Sequence, residues 1–361
     1  MFSNGYVTMS DLIDTRTPLE LSHLPAQFVG REAEQDTLTD AFGVEGESRL
    51  QNFHVYGPRG TGKTHLLQRF LTTFPPTFTT CYLSGIHQNT QYKSLERLYH
   101  LLTGTTLGTG HHVADIQRKV EEQVTLPTVI VVDEVDFLLL NDGDDLLYYL
   151  TRLENTAVIT VSANRRSLEE PLDERTYSSF HPQHLTLNEY TANAARQILA
   201  DRARKALQPQ SLQRAALTYI TATTQNISIG ITWLREAAET ADDRITRDLV
   251  QNVEVTAYHE FVKSLLNEFT THHRRLYNTI ARLEQERGPL LTTGTVYSEY
   301  SKRCETAGVA PLSERRISDF LTHLELLDLI EATYYRGGRK GKTREIKLVD
   351  WNSRSDSEET S

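Results

Sequence analysis

The sequence predicts an α/β fold, a parallel sheet with helices on both faces, followed by an all-α unit and a second helical domain closed by a β-hairpin. Three observations predict it. Four short β-branched runs, NFHVY, TTCYL, TVIVVDE and AVITVSA, alternate with helical patterns between about residues 50 and 187, which is the mark of βαβ units. From about 189 to 332 the periodicity is helical only, with apolar residues spaced i, i+3, i+4. Segment 333–348 then reads as two strands around RGGRKGKT.

Length and composition fit this division. A chain of 361 residues, 38% hydrophobic and 24% charged, supports two or three domains with substantial cores. We expect a flexible N-terminus over 1–17, an α/β base over 18–188, a helical lid over 189–255, a C-terminal domain over 258–350 and a disordered polar tail over 351–361. The first residues, MFSNGYVTMSDLIDT, carry neither the basic nor the apolar region of a signal peptide. No apolar run approaches the roughly 20 residues a bilayer span requires. Cys81 and Cys304 lie far apart without a CxxC, which argues against a disulfide framework or a zinc site. A reducing cytoplasm is the expected compartment, and the excess of arginine over lysine fits a salt-adapted one. The histidine pairs at 111–112 and 272–273 read as solvated helix-end or loop residues.

Within the base, GPRGTGKT (Gly57 to Thr64) satisfies GxxxxGK[ST], directly after NFHVY and before the helical stretch HLLQRFLTTF. That context is the one a phosphate-binding loop requires. Gly57, Gly60 and Gly62, with Thr61 between them, let the backbone curl so that its N–H groups face a β-phosphate at a helix N-terminus. Lys63 is placed to neutralise β/γ-phosphate charge, and Thr64 to ligate Mg²⁺. The run VIVVDEVD then brings Asp133 and Glu134 to the end of a buried strand. Asp133 is placed to hold Mg²⁺, and Glu134 to orient or deprotonate an attacking water, because phosphoryl transfer depends on a positioned nucleophile. These motifs together predict a P-loop NTPase that works with Mg²⁺. AVITVSAN ends in Asn164, whose amide could hydrogen-bond a γ-phosphate or the water, although a strand-end Asn taken alone is more often a turn residue.

Several stretches resemble the archaeal replication-initiator family, relatives of the eukaryotic origin recognition complex and of its cell-division-cycle loading factor. They are FVGREAE (28–34), GPRGTGKT, NTQYKSL (89–95), VDEVDFL (132–138), SAN (162–164), LDERTYSSF (172–180), LNEYTANAARQILADR (187–202), the stretch 294–330 and the hairpin 336–348. The resemblance implies an AAA+ ATPase base that binds ATP or ADP, a helical lid and a C-terminal winged helix. It implies that Asn164 is the first sensor and that Tyr190 and Arg202 contact nucleotide, with Arg202 reaching toward it or tying the lid down. It also implies double-stranded origin DNA and the MCM replicative helicase as partners. Segment 104–122 falls where such initiators insert an extra helix that touches DNA. Two positions depart from the family. Ser228 stands where the lid carries its sensor arginine, and Arg235, seven residues on, reads as a poor substitute on another part of the helix. Arg175 is available as a trans-acting arginine, but Ser179 stands where relatives with such a finger place arginine. Both departures predict slow hydrolysis.

The chain is acidic overall, at formal charge −10, yet residues 334–348 hold six basic side chains and one acidic one. In LSERRISDFLTHLELLDLI, Ser313 reads as an N-cap with Arg315 and Arg316 in the first turn, and Ile317, Phe320, Leu321 and Leu324 facing inward. Helix N-termini of this kind reach bases and phosphates in the major groove. Arg336, Arg339, Lys340, Lys342 and Arg344 are expected to line the wing against DNA. Two other readings share the motifs: a nucleotide-gated DNA-binding regulator, and a protein-remodelling ATPase that ignores DNA.

Overall fold

The computed structural model describes residues 12–25, 28–43, 50–335 and 343–350. The segments expected to be flexible or disordered, apart from residues 12–17, lie outside these described residues, as do Arg336, Arg339, Lys340 and Lys342 of the expected wing. In the base, the strands are β1 (Phe53–Tyr56), β2 (Thr79–Ser84), β3 (Thr128–Asp133), β4 (Thr156–Ser162) and β5 (Gln183–Thr186). They form one parallel sheet in the order β2-β3-β4-β1-β5. Its helices are α1 (Glu32–Phe42), α2 (Lys63–Leu71), α3 (Gln91–Thr103), α4 (Val113–Glu121), α5 (Val135–Asp142), α6 (Asp145–Leu150) and α7 (Glu174–Phe180). Every residue of β3 is buried, as a central strand covered on both faces requires. Strand β5 escapes the β-branched pattern because its QHLT buries only Leu185 at the sheet edge. Neighbouring β3, β4 and β1 run in the same direction, so Asp133, Asn164 and the phosphate loop all emerge at one edge, where open α/β sheets bind ligands.

The lid comprises α8 (Ala192–Ala206), α9 (Arg214–Thr223), α10 (Ile227–Thr240) and α11 (Arg247–Asn252), and α12 (Glu254–Leu266) leads out of it, with Ala257 in the lid core and Phe261, Val262 and Leu266 in the core of the C-terminal domain. Residues 12–19 join the lid: Leu12 and Leu19 are buried in its core, and Ile13 bridges to Leu207.

The C-terminal domain contains α13 (Thr271–Arg287), β6 (Leu291–Thr292), α14 (Thr293–Thr306), α15 (Glu314–Leu326), β7 (Ile330–Tyr335) and β8 (Thr343–Leu348), with an antiparallel sheet ordered β6-β8-β7. Ser313 caps α15, accepting from the Arg316 amide, and Ile317, Phe320, Leu321 and Leu324 are buried. One histidine expectation is corrected here. His273 is buried, stacked on Phe320 with ring centroids 3.6 Å apart, and bonded to Thr270 and to His323 Nδ1 at 2.9 and 3.0 Å. It lies on the stripe of α13 that packs against α15, so it fills core instead of capping a helix end in water. Burial, reinforced by the neighbouring His323 and His272, pushes its pKa down to about 3. Phe137 of α5 and Ile229 of α10 belong to this same core, so the C-terminal domain packs directly on the base and lid. Among the described residues, no helix is long and apolar enough to cross a membrane.

Candidate functional site

The phosphate loop turns from β1 into α2 through two left-handed glycines, Gly60 at φ 81° and Gly62 at φ 83°. A Cβ at Gly62 would lie 2.5 Å from the Tyr190 hydroxyl, and one at Gly60 only 2.1 Å from Asn226 Oδ1. Both positions therefore exclude any side chain, on conformation and on space. Gly57 closes β1, its amide bonded to the Ser162 carbonyl, and Thr61 Oγ1 donates to the Pro58 carbonyl at 2.9 Å. Lys63 is buried and donates to the carbonyls of Gly57 and Pro58 at 2.5 and 2.8 Å. Burial pushes its ammonium down to about 8, assisted by the nearby Arg59 guanidinium. The two residues predicted to hold a metal ion meet: Thr64 Oγ1 donates to Asp133 Oδ2 at 2.6 Å, and the Tyr82 hydroxyl donates to the same oxygen.

Glu134 follows in a left-handed backbone conformation, φ 52°, strained for a residue with a side chain. Its carboxylate accepts from Arg59 Nη1 at 3.0 Å. Desolvation raises the Glu134 carboxyl, and Arg59 opposes that rise. The turn that presents Asn164 is fixed from below by Asp136, which accepts from Ser162 Oγ at 2.6 Å; that oxygen in turn accepts from the amides of Asn164 and Arg165.

Two cavities meet at the loop. One is walled mainly by Leu21, Val29, Tyr190, Ile198, Ile227 and Ile231, beside Gly60 and Gly62. The other is polar and is lined by Lys63, Thr64, Asp133, Glu134, Ser228 and Arg235 among others. An apolar slot beside a polar, cation-bearing one fits a planar base joined to a phosphate chain. Tyr190 walls the apolar half, with the Arg31 guanidinium 4.2 Å from its ring centroid. Arg202 lines the apolar cavity beside Tyr190. It donates to the carbonyls of Pro18, Glu20 and His23 at 2.8–3.0 Å, tying the segment that carries Leu21 across the lid. The reading of Arg235 is corrected: seven residues are two helical turns, so it shares the face of Ser228 and lines the same cavity, paired with Glu236 at 3.2 Å.

On the C-terminal domain, Arg315 and Arg316 are exposed in the first turn of α15. Arg344 does not join them. It is buried and donates to Thr322 Oγ1 at 2.9 Å, to Glu325 at 3.3 Å and to the Tyr334 hydroxyl. The cause is strand parity: Arg344 shares a face of β8 with buried Ile346. Arg344 therefore fastens the hairpin to α15, and its place among the DNA-facing cations is withdrawn. Arg175 is exposed and paired with Asp145 and Asp173, while Ser179 bonds Thr151. In segment 104–122, α4 buries Ile116 and Val120 and leaves Arg118 half-exposed or more at its outer side.

Comparison with known proteins agrees with this architecture. The family profile described as "CDC6, C terminal winged helix domain" matches residues 264–355, and the one described as "AAA ATPase domain" matches residues 27–162. The ORC1-type DNA replication protein 1 of Sulfolobus acidocaldarius is 28% identical over 94% of both chains, and the ORC1-type DNA replication protein of Thermococcus kodakarensis is 26% identical over 95% of this chain and 89% of that one. The chain is thus similar over nearly its whole length to archaeal ORC1-type DNA replication proteins. A solved structure described as the Aeropyrum pernix ORC1 protein in complex with DNA superposes with a TM-score of 0.74, at 24% identity over 96% of this chain and 95% of that one, so the AAA+ and winged-helix fold is shared.

Three residues that shape the site were not singled out from the sequence. Arg59 occupies a variable position of the loop, and its partners Glu134 and Leu326 lie 75 and 267 residues away, so nothing local announced it. Asp136 hides inside DEVD as a further acid. Asn226 did leave a signal: it directly precedes an apolar helix, and it caps α10 while donating to the Arg59 carbonyl at 3.2 Å.

Proposed function

We propose that this protein is an ATP-binding replication initiator that grips duplex origin DNA through its winged helix and AAA+ base and helps recruit the MCM-type replicative helicase. ATP binding and slow hydrolysis act as the switch. The observation that supports this most is the junction of a complete phosphate-loop site with a winged helix in one packed body, where the sensor residue Asn164 donates to the Leu326 carbonyl of α15 at 3.1 Å. ATP and Mg²⁺ fit the residues present: the glycine cradle excludes side chains, Thr64 and Asp133 stand together, and Lys63 reaches no carboxylate but only loop carbonyls. Bound Mg²⁺ supplies charge neutralisation between phosphoryl oxygens. Thr64 and Asp133 would hold it, Lys63 would pair with the β/γ-phosphates, Tyr190 would pack against the base, and Glu134 would orient the attacking water.

The DNA reading draws on Arg315 and Arg316 at the exposed N-terminus of α15, on Arg336, Arg339, Lys340 and Lys342 in the hairpin sequence, and on a relative described as bound to DNA. The acidic remainder of the chain confines contact to those cations. Titration of the purified protein against an origin-derived duplex and a scrambled one, with ATP and with ADP across a salt series, tests it. We expect preference for the origin duplex, lost when Arg336 and Arg339 become alanine; equal, weak binding to both duplexes under every nucleotide condition would defeat the reading. A nucleotide-gated regulator with little turnover is favoured only by Ser228, and mapping bound genomic positions separates the two.

A further inference from the structure

Helix α15 ends on the nucleotide site. The carbonyl of its last residue, Leu326, accepts from Arg59 Nε at 3.2 Å, from Arg59 Nη2 at 2.9 Å and from Asn164 Nδ2 at 3.1 Å. Three donors on one carbonyl exceed its two lone pairs, so one of these bonds is readily surrendered. The remaining arm of the Arg59 guanidinium holds Glu134 at 3.0 Å. Arg59 also lines the polar cavity beside Lys63 and Thr64. Helix C-termini carry partial negative charge and attract cations, but a phosphate oxygen is the stronger acceptor for a guanidinium. The opposite end of the same helix presents Arg315 and Arg316, and 13 residues make it a rod of roughly 20 Å. A second strut runs beside this contact: Phe137, three residues past Glu134, packs against His323 of α15 and Phe269 at ring distances of 5.7 and 5.6 Å.

We propose that Arg59 is a positioning residue that joins the hydrolytic carboxylate to the DNA-facing helix: it fixes Glu134 and the C-terminus of α15 at once, and a triphosphate entering the polar cavity competes with Leu326 for its guanidinium. Nucleotide state is thereby read directly at the end of the winged helix's own recognition helix, not solely through the lid. This inference rests on the nucleotide reading above. Lysine cannot reproduce it, because one ammonium lacks the fork that spans two acceptors in fixed geometry.

Hydrogen–deuterium exchange on the full chain, without nucleotide, with Mg·ADP and with Mg·ATP, tests the link, with ATP affinity measured in parallel by calorimetry. In the parent, Mg·ATP should speed exchange across residues 324–330 roughly tenfold, the scale expected when charge-assisted bonds at a helix end are released. Arg59→Ala should exchange fast from the start and ignore ATP at saturation, and it should bind ATP several-fold more weakly than the parent, since the guanidinium that the triphosphate would engage is gone. Its single-turnover hydrolysis at saturating ATP should also fall about tenfold, because Glu134 loses the partner that fixes it. Arg59→Lys serves as the second variant: it should recover part of the hydrolysis rate and none of the ATP-dependent exchange. Unchanged exchange at 324–330 in ATP-saturated parent, or parent-like behaviour of both variants, overturns the link while leaving the nucleotide reading intact. Failure of the parent to bind ATP defeats the nucleotide reading, and the link falls with it.

Discussion

Two stretches of this chain combine glycines with cations, GPRGTGKT and RGGRKGKTR, and their cations fare differently. In the phosphate loop, a strand before and a helix after leave the backbone one path, so Lys63 and Thr64 arrive where the motif places them. In the hairpin, position along a strand decides which way each side chain faces, and Arg344 turns inward onto Thr322, Glu325 and Tyr334. A motif with fixed local geometry thus locates its charges. A charge-rich strand must first be sorted by parity against its apolar neighbours.

The largest expected effect belongs to the loop. Lys63→Ala removes the buried cation that faces the polar cavity, and ATP affinity should fall at least about 100-fold by calorimetry, since catalysis and binding in such sites are mainly electrostatic. An unchanged affinity would mean that the resemblance of loop to nucleotide site is only one of shape.

The hairpin supplies the contrasting pair. Arg344→Ala leaves Glu325 and the hairpin without their shared partner and should cost the C-terminal domain about 2–4 kcal/mol in a denaturant titration. Arg316→Ala should leave stability unchanged and lower the salt slope of duplex binding by about one unit. If the two exchange behaviours, Arg344 is a DNA contact after all and the parity argument fails.

Much of this was legible in the sequence. The parallel sheet, the loop, Asp133, the Ser313 cap and the inward stripe of α15 all follow from patterns a few residues long. What escaped depends on contacts between distant segments. Arg59 gains meaning only when Leu326 arrives 267 residues later, and Arg202 only when residues 18–23 cross the lid. His273 was misread because a histidine pair near a helix start looks solvated until α15 covers it. The error over Arg235 was different in kind, since helical periodicity alone put it on the face of Ser228.

His273 sharpens the contrast between buried and exposed cations further. Its proton is refused in the folded state down to about pH 3 because burial opposes the charge, whereas the unfolded chain takes it near 6.5. Below about pH 6.5 the unfolded state therefore binds more protons, and stability falls as pH falls. Full stability should hold above about pH 7, with a loss of about 2 kcal/mol by pH 5 from this residue. Burial lowers the neighbouring His323 as well, in the same direction. Replacing His273 with Phe should flatten the acid limb of a melting-temperature profile; a profile identical to the parent's would place the acid sensitivity elsewhere.

The smallest effect tests which cation serves the lid side of the polar cavity. Ser228 and Arg235 stand two turns apart on one face of α10, and both line that cavity with Lys63 and Glu134. Arg235 is held by Glu236, its immediate neighbour in sequence, at 3.2 Å, and a phosphate oxygen in the cavity offers its guanidinium a strong competing acceptor. Arg235→Ala should therefore slow single-turnover hydrolysis by about tenfold, the usual worth of one cation on a transferring phosphoryl group at the margin of a site. Ser228→Ala should do nothing measurable. The double change Arg235→Ala with Ser228→Arg moves the cation two turns toward the loop, onto the same face, and should recover most of the rate. Recovery would show that the cavity requires a positive charge from α10 but not from one fixed position, which is the tolerance a long, flexible guanidinium side chain gives that a backbone cradle such as Gly60–Gly62 does not.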